Sequence, residues 1–186
     1  MNYTSKIYST KNYRILLESF YAESDKKIVS VRHNDFSGLC KKNCINYNNK
    51  YSCPPYSPDF SIYTLGSKKI LVICFRIVLN QYAPLPIYHR IRAANVILKS
   101  LIDKELLSYK QEGFLVAGSG SCRACKPCGA KIGVPCKKPD RRIYSLEAMG
   151  VDVGALVKEC FGFELQWYIK GKEPPEYTCV VGAVLS

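Results

Sequence analysis

Gly118 to Pro139 reads GSGSCRACKPCGAKIGVPCKKP, and within it Cys122, Cys125, Cys128 and Cys136 follow the pattern C-x2-C-x2-C-x7-C. Cysteines at i, i+3 and i+6 can wrap one face of a compact inorganic core, which is the spacing of iron-sulfur ligation. Gly118, Gly120, Ala124, Gly129, Ala130 and Gly133 give the loop the freedom to bring three thiols to adjacent iron corners. Pro135 stiffens the return to the fourth, Cys136. Zinc also takes four thiolates, but its structural sites usually use two separated C-x2-4-C pairs rather than such a triplet. Cysteines three apart meet disulfide geometry poorly. The N-terminal stretch MNYTSKIYSTKNYRILLESF also lacks the basic-then-apolar layout of a secretory signal.

A second group, Cys40-x3-Cys44-x8-Cys53, runs directly into Pro54-Pro55. Its setting, GLCKKNCINYNNKYSCPPYSPDF, is rich in Asn, Ser, Gly and Pro and reads as a loop. A cysteine followed by proline closes the ligand run of bacterial ferredoxins, where it serves the other cluster. Beside the main loop, these three cysteines, the first group in chain order, read as a second ligand set.

Composition bounds the rest. The 186 residues are 47% hydrophobic and 23% charged, ordinary for one globular domain spanning 1–186. The longest apolar run, Ile70 to Leu79, is short and holds Arg76, so no membrane span is expected, and the protein reads as cytoplasmic. Ten cysteines in a reducing compartment favour metal ligation over bridges. The net charge of +12 raises nucleic acid as a partner, but no nucleic-acid motif accompanies it, and a bias toward Lys, Asn, Ile and Tyr accounts for part of the excess. With His33 and His89 the only histidines, histidine catalysis has little material.

Along the chain, Tyr13, Leu16, Leu17 and Phe20 stand at helical spacing, with Thr10 as a cap, and predict a helix within 1–27. A short strand follows over 28–32. The run KILVICFRIVL over 69–79 predicts a central strand holding Cys74 as core. A helix is expected over 88–109 with His89 and Lys99 solvated, and a strand over 114–117 delivers the chain into the main cysteine loop. Beyond that loop come a helical turn over 145–149, a helix over 153–160 capped by Asp152 and ended by Gly162, and strands over 164–170 and 177–185 joined as a hairpin. The fold class is α+β: a mixed sheet packed with helices, with cysteine-rich loops at 36–60 and 118–142 carrying iron-sulfur clusters.

CINYNNKYSCPPYSP, followed some way on by CRACKPCGAKIGVPCKKPDRRIYSLEAMGVDV, resembles a family of predicted metal-binding proteins of unknown function from anaerobic bacteria and archaea. The resemblance covers residues 36 to 160. It implies metal or cluster binding, with Cys40, Cys44, Cys53, Cys122, Cys125, Cys128 and Cys136 carried over as ligands. It also marks the segment from Arg142 to Val153. There Ser145 and Asp152 are helix-cap residue types, whose outward N–H groups would suit nearby cluster sulfurs.

The leading reading is an iron-sulfur protein with one or two 4Fe-4S clusters, acting in electron transfer or small-ligand activation in anaerobic metabolism. A zinc-stabilised binding module, with RNA as a candidate ligand, is the alternative. Arg123, Lys126, Lys131, Lys137, Lys138, Arg141 and Arg142 crowd the main loop and suit an acidic redox carrier of flavodoxin or ferredoxin type. Two 4Fe-4S clusters have eight iron corners, whereas the two groups supply three plus four, or seven, cysteines. Cys160 is the first candidate for the eighth ligand, with Cys74, Cys179, His33 and Asp35 behind it. An iron without a cysteine would permit enzyme chemistry.

Overall fold

The computed structural model describes residues 2–9, 14–82, 85–169 and 171–186. The N-terminal region is not helical. It forms two antiparallel strands, β1 (Asn2–Ser9) and β2 (Arg14–Asp25), in a register that sets Ile7 against Leu16 and Tyr3 against Phe20. Ile15, Leu17 and Ser19 alternate inward with period two, while Leu16 stays 45% exposed, so strand alternation prevails over the helical spacing of Leu16, Leu17 and Phe20. Thr10 and Tyr13 lie outside the described residues.

The apolar run becomes β3 (Lys69–Val78), buried on both faces as a central strand requires. The sheet is completed by β4 (Leu115–Gly118), β5 (Tyr144–Ser145) and β6 (Tyr177–Leu185), in the order β1-β2-β3-β6-β4-β5. It is mixed, since β4 and β5 run parallel while the other neighbours are antiparallel.

Each face of the sheet carries its own core. After α1 (His33–Asn43) and the single turn α2 (Phe60–Tyr63), α3 (Ile87–Gln111) lies on one face, its Ala94, Leu98, Ile102 and Leu106 fully buried against Ile73, Phe75 and Val184. On the other face α4 (Val153–Phe161) and the 3-10 turn Glu147–Met149 pack on Val72, Val181 and Ala183. Asp152 caps α4 by accepting the Ala155 N–H at 2.9 Å, and Gly162 closes it at φ +75°, the left-handed conformation that suits glycine.

Two expected strands are not formed. Residues 28–32 reduce to a single bridge between Val31 and Val151. Residues 163–169 are irregular, because β6 takes its neighbours from β3 and β4 instead of a hairpin partner. The Gln166 side chain instead ties this segment to β6 by accepting the Glu176 N–H at 2.7 Å. Among the described residues, no helix is long and apolar enough to cross a membrane.

Between α3 and the sheet, the Leu106 side chain faces Gly118 of β4 and Gly182 of β6; a methyl group added at Gly182 would meet it at 2.9 Å. Leu106→Ala should therefore cost about 2–5 kcal/mol. Adding Gly182→Ala to that variant should restore part of the loss by filling the space. Urea denaturation of both single variants and the double variant checks this, and strict additivity would refute it.

Candidate metal centre

The main cysteine loop starts where β4 runs out. Ser119 stands in for a strand partner at that point: its hydroxyl donates to Val181 O at 2.7 Å and accepts the Val181 N–H at 2.8 Å. The chain then turns through Gly120 at φ +62° into Cys122. All four thiols of the loop, Cys122, Cys125, Cys128 and Cys136, border one small cavity, which Tyr51, Ser52, Lys138 and Arg142 help to close. Gly129 keeps the loop tight, since a Cβ there would sit 2.4 Å from Val134 O and 2.5 Å from Pro135 O. Those atoms are backbone and cannot rotate away.

The first cysteine group is built differently from the expected loop. Cys40 lies in the last turn of α1 (His33–Asn43), and Cys44 ends that helix, its N–H donating to Cys40 O at 3.1 Å. A C-x3-C spacing is helical, so both thiols fall on one face and within hydrogen-bonding reach of each other. Asp35 in the first turn and Lys41 and Lys42 in the last complement the helix dipole. Cys53 follows a set of tight turns, only 6% exposed, and the charges of Cys44 and Cys40 bear on it. Burial is the main reason its thiol is pushed up to about 11; the Ser52 hydroxyl, 3.6 Å from its sulfur, opposes that shift. Burial likewise raises Cys40, with Cys44 and Glu147 adding to the shift.

The two groups adjoin through Ser52, which is fully buried. Its hydroxyl accepts the Cys122 N–H at 2.8 Å, and its carbonyl accepts the Ser145 N–H at 3.4 Å. Tyr51 adds a hydrogen bond from its hydroxyl to Val134 O at 2.9 Å. From the other side Lys110, in the last turn of α3, donates to Arg142 O at 2.6 Å. Desolvation is the first reason its pKa falls, and Arg142 adds to the drop, while Asp140, Cys122 and Cys136 counter it.

The segment that follows braces the first group. Ser57 donates to Ala148 O at 2.8 Å, the Arg32 N–H donates to Gly150 O at 2.6 Å, and α1 packs on the turn Glu147–Met149. Ser145 is not a helix cap: it sits buried in β5, and its hydroxyl donates to the Glu147 carboxylate. Asp152 is a cap, as expected.

Other cysteines stand elsewhere. Cys160, near the end of α4, packs on the core, and the charge that bears on its thiol is that of Glu159. Cys74 and Cys179 hydrogen-bond to each other on the sheet between β3 and β6. Asp35 is exposed, and the side chain of His33 lies outside the described set. Of the basic residues around the main loop, Arg123 pairs with Asp103 at 3.4 Å, and the Arg142 guanidinium lies 4.9 Å over the Tyr144 ring. Lys126, Lys131, Lys137, Lys138 and Arg141 are exposed. Among the described residues, no three His, Cys, Asp or Glu side chains converge as a single ion would require.

Seven cysteines lie in two segments that adjoin through Ser52 at the β4–β5 edge of the sheet. A family model for predicted metal-binding proteins, DUF2284, matches residues 25–185, and the chain belongs to that family. β1 and all but the last residue of β2 precede the matched region. No curated protein and no solved structure matches the chain.

Two outcomes follow from this geometry. Gly129→Ala should abolish metal retention by the main loop without removing any thiol, measured as metal per chain; retention equal to wild type would refute it. Cys53 gives the metal-free chain a pH dependence. Its folded pKa is raised from 9.0 to about 11, so the stability gained by keeping the proton is full below pH 9.0 and lost as pH rises through about 11. Urea midpoints should fall across that window in wild type more than in Cys53→Ala.

Proposed function

We propose that this member of the family holds iron-sulfur clusters, one in the main loop and one at the Cys40, Cys44 and Cys53 group, and passes electrons. The observation that carries this is the single cavity bordered by all four thiols of a C-x2-C-x2-C-x7-C loop. A cube sits between its thiolates and takes one at each corner, whereas zinc draws four donors to about 2.3 Å of one point. The four thiols border a cavity of only about 10 Å³ without converging on one point, and the C-x2-C-x2-C-x7-C spacing lets them open around a cube. The residues fit an anionic cluster electrostatically as well. Lys138 and Arg142 line the cavity, and the Lys110 ammonium stands close enough for the charges of Cys122 and Cys136 to act on it.

When bound, such clusters supply reversible one-electron chemistry. The chain's own part is to hold the thiols apart and to place two groups side by side through Ser52. Exposed Lys126, Lys131, Lys137, Lys138 and Arg141 offer an acidic carrier a place to dock, which makes a flavodoxin- or ferredoxin-like partner the natural electron source. Anaerobic metabolism and a cytoplasmic setting accord with this reading.

Anaerobic purification with iron, acid-labile sulfide and zinc analysis tests it. A brown protein with iron and sulfide in equal amounts is expected, with iron lost in Cys122→Ala, Cys125→Ala and Cys128→Ala. A colourless protein with stoichiometric zinc would overturn it.

A further inference from the structure

The first cysteine group supplies three thiols, Cys40, Cys44 and Cys53, where a tetrahedral metal corner set asks for four donors. We infer that Glu147 is the fourth protein donor of this group, a step that rests on its reading as a metal ligand set.

Position argues for it first. The turn carrying Glu147 is pinned against the group on both sides: the Ser145 N–H reaches Ser52 O at 3.4 Å, next to Cys53, and the Ser57 hydroxyl reaches Ala148 O at 2.8 Å. Helix α1, which carries Cys40, packs on this same turn. Orientation is the second point. The Ser145 hydroxyl donates to Glu147 Oε2, and a carboxylate ligand held in this way by a neighbouring hydrogen bond is the usual arrangement around metals. Among the described residues no hydrogen bond is made to Oε1, which leaves it for a metal. Third, Glu147 lines a cavity of about 410 Å³ together with Gln166, Trp167, Tyr168, Thr178 and Cys179. A carboxylate binds iron less firmly than a thiolate, so the corner it occupies is the one a small molecule in that cavity could reach. With Glu147 counted, four plus three plus one donors meet the eight corners of two cubes.

The test compares wild type with Glu147→Gln, Glu147→Ala and Glu147→Cys, all purified anaerobically. Metal and sulfide per chain are measured, and electron paramagnetic resonance spectra of the reduced proteins are recorded with and without cyanide. Expected are a spectrum altered in every variant, loss of up to half the iron or new cyanide sensitivity in Glu147→Gln and Glu147→Ala, and full iron in Glu147→Cys. A Glu147→Gln protein matching wild type in iron, spectrum and cyanide response would overturn the proposal. So would equal iron loss in Glu147→Ala and Glu147→Cys, which marks a structural role. Should wild type hold zinc and no iron, the cluster reading fails alone. The visible bands of the cobalt-substituted protein then report the donor: a shift in Glu147→Gln supports the assignment and an unchanged spectrum overturns it. A wild type holding neither metal sinks both.

Discussion

A single buried hydroxyl, that of Ser52, ties the two cysteine segments into one centre. It accepts the Cys122 N–H and shares a second hydrogen bond with the sulfur of Cys53, 3.6 Å away. A hydroxyl can make both contacts at once, and here each goes to a different group. The carbonyl of the same residue takes the N–H of Ser145, so one residue also fixes the segment that braces α1. Neither loop contains enough apolar surface to order itself, and fixing each backbone residue costs roughly 1–2 kcal/mol. Cross-links of this kind, together with whatever metal the thiols hold, are what order the loops.

Charge is arranged to match. Gathering seven thiols is costly when they ionise, because like charges repel and burial penalises each of them; the raised thiols of Cys40 and Cys53 show both effects. Metal binding must displace those protons, so affinity rises with pH. Cations stand ready at the main loop, in Lys110 from below and Lys138 and Arg142 at the cavity wall. The net charge of +12, which from composition alone could signal nucleic acid, is concentrated in part where thiolates need it.

How far this was legible in the sequence depended on the range of the interactions. β3, β6, α3 and α4 follow from local pattern: a continuous apolar run, a four-residue apolar repeat, and the Asp152 and Gly162 caps. The pair β1 and β2 does not, because Leu16, Leu17 and Phe20 fit a helix as well as a strand, and only the register against β3 decides. Helix α1 was hidden by its poor formers, Asn, Ser and Gly, and forms because the turn Glu147–Met149 supports it. That Cys122, Cys125, Cys128 and Cys136 border one cavity accords with their spacing. The contacts of Ser52 and Lys110 could not be read there, since each meets a partner far along the chain. Ser52 looked like any loop serine, and Lys110 like a cation suiting a helix C-terminus.

The same limit separates ligand cysteines from structural ones. Cys74 and Cys179 are no less cysteines than Cys53, yet they are diagonal neighbours on adjacent strands, Cys74 opposite Val181 and Cys179 opposite Arg76, and hydrogen-bond to each other. Cys74 donates toward Cys179, and that hydrogen bond, with help from Arg76, holds the Cys179 thiol below its usual value against the opposing effect of burial. Arg76 is itself fully engaged: it pairs with Glu18 at 2.6 Å and lies within 5 Å of the ring centres of Phe20, Phe163 and Tyr177. A thiol in that setting is stabilised by a hydrogen bond and a cation already in place. At Cys40 and Cys53 burial raises the thiols, and the charges of their cysteine neighbours add to the rise, a repulsion that a cation bound beside them would relieve.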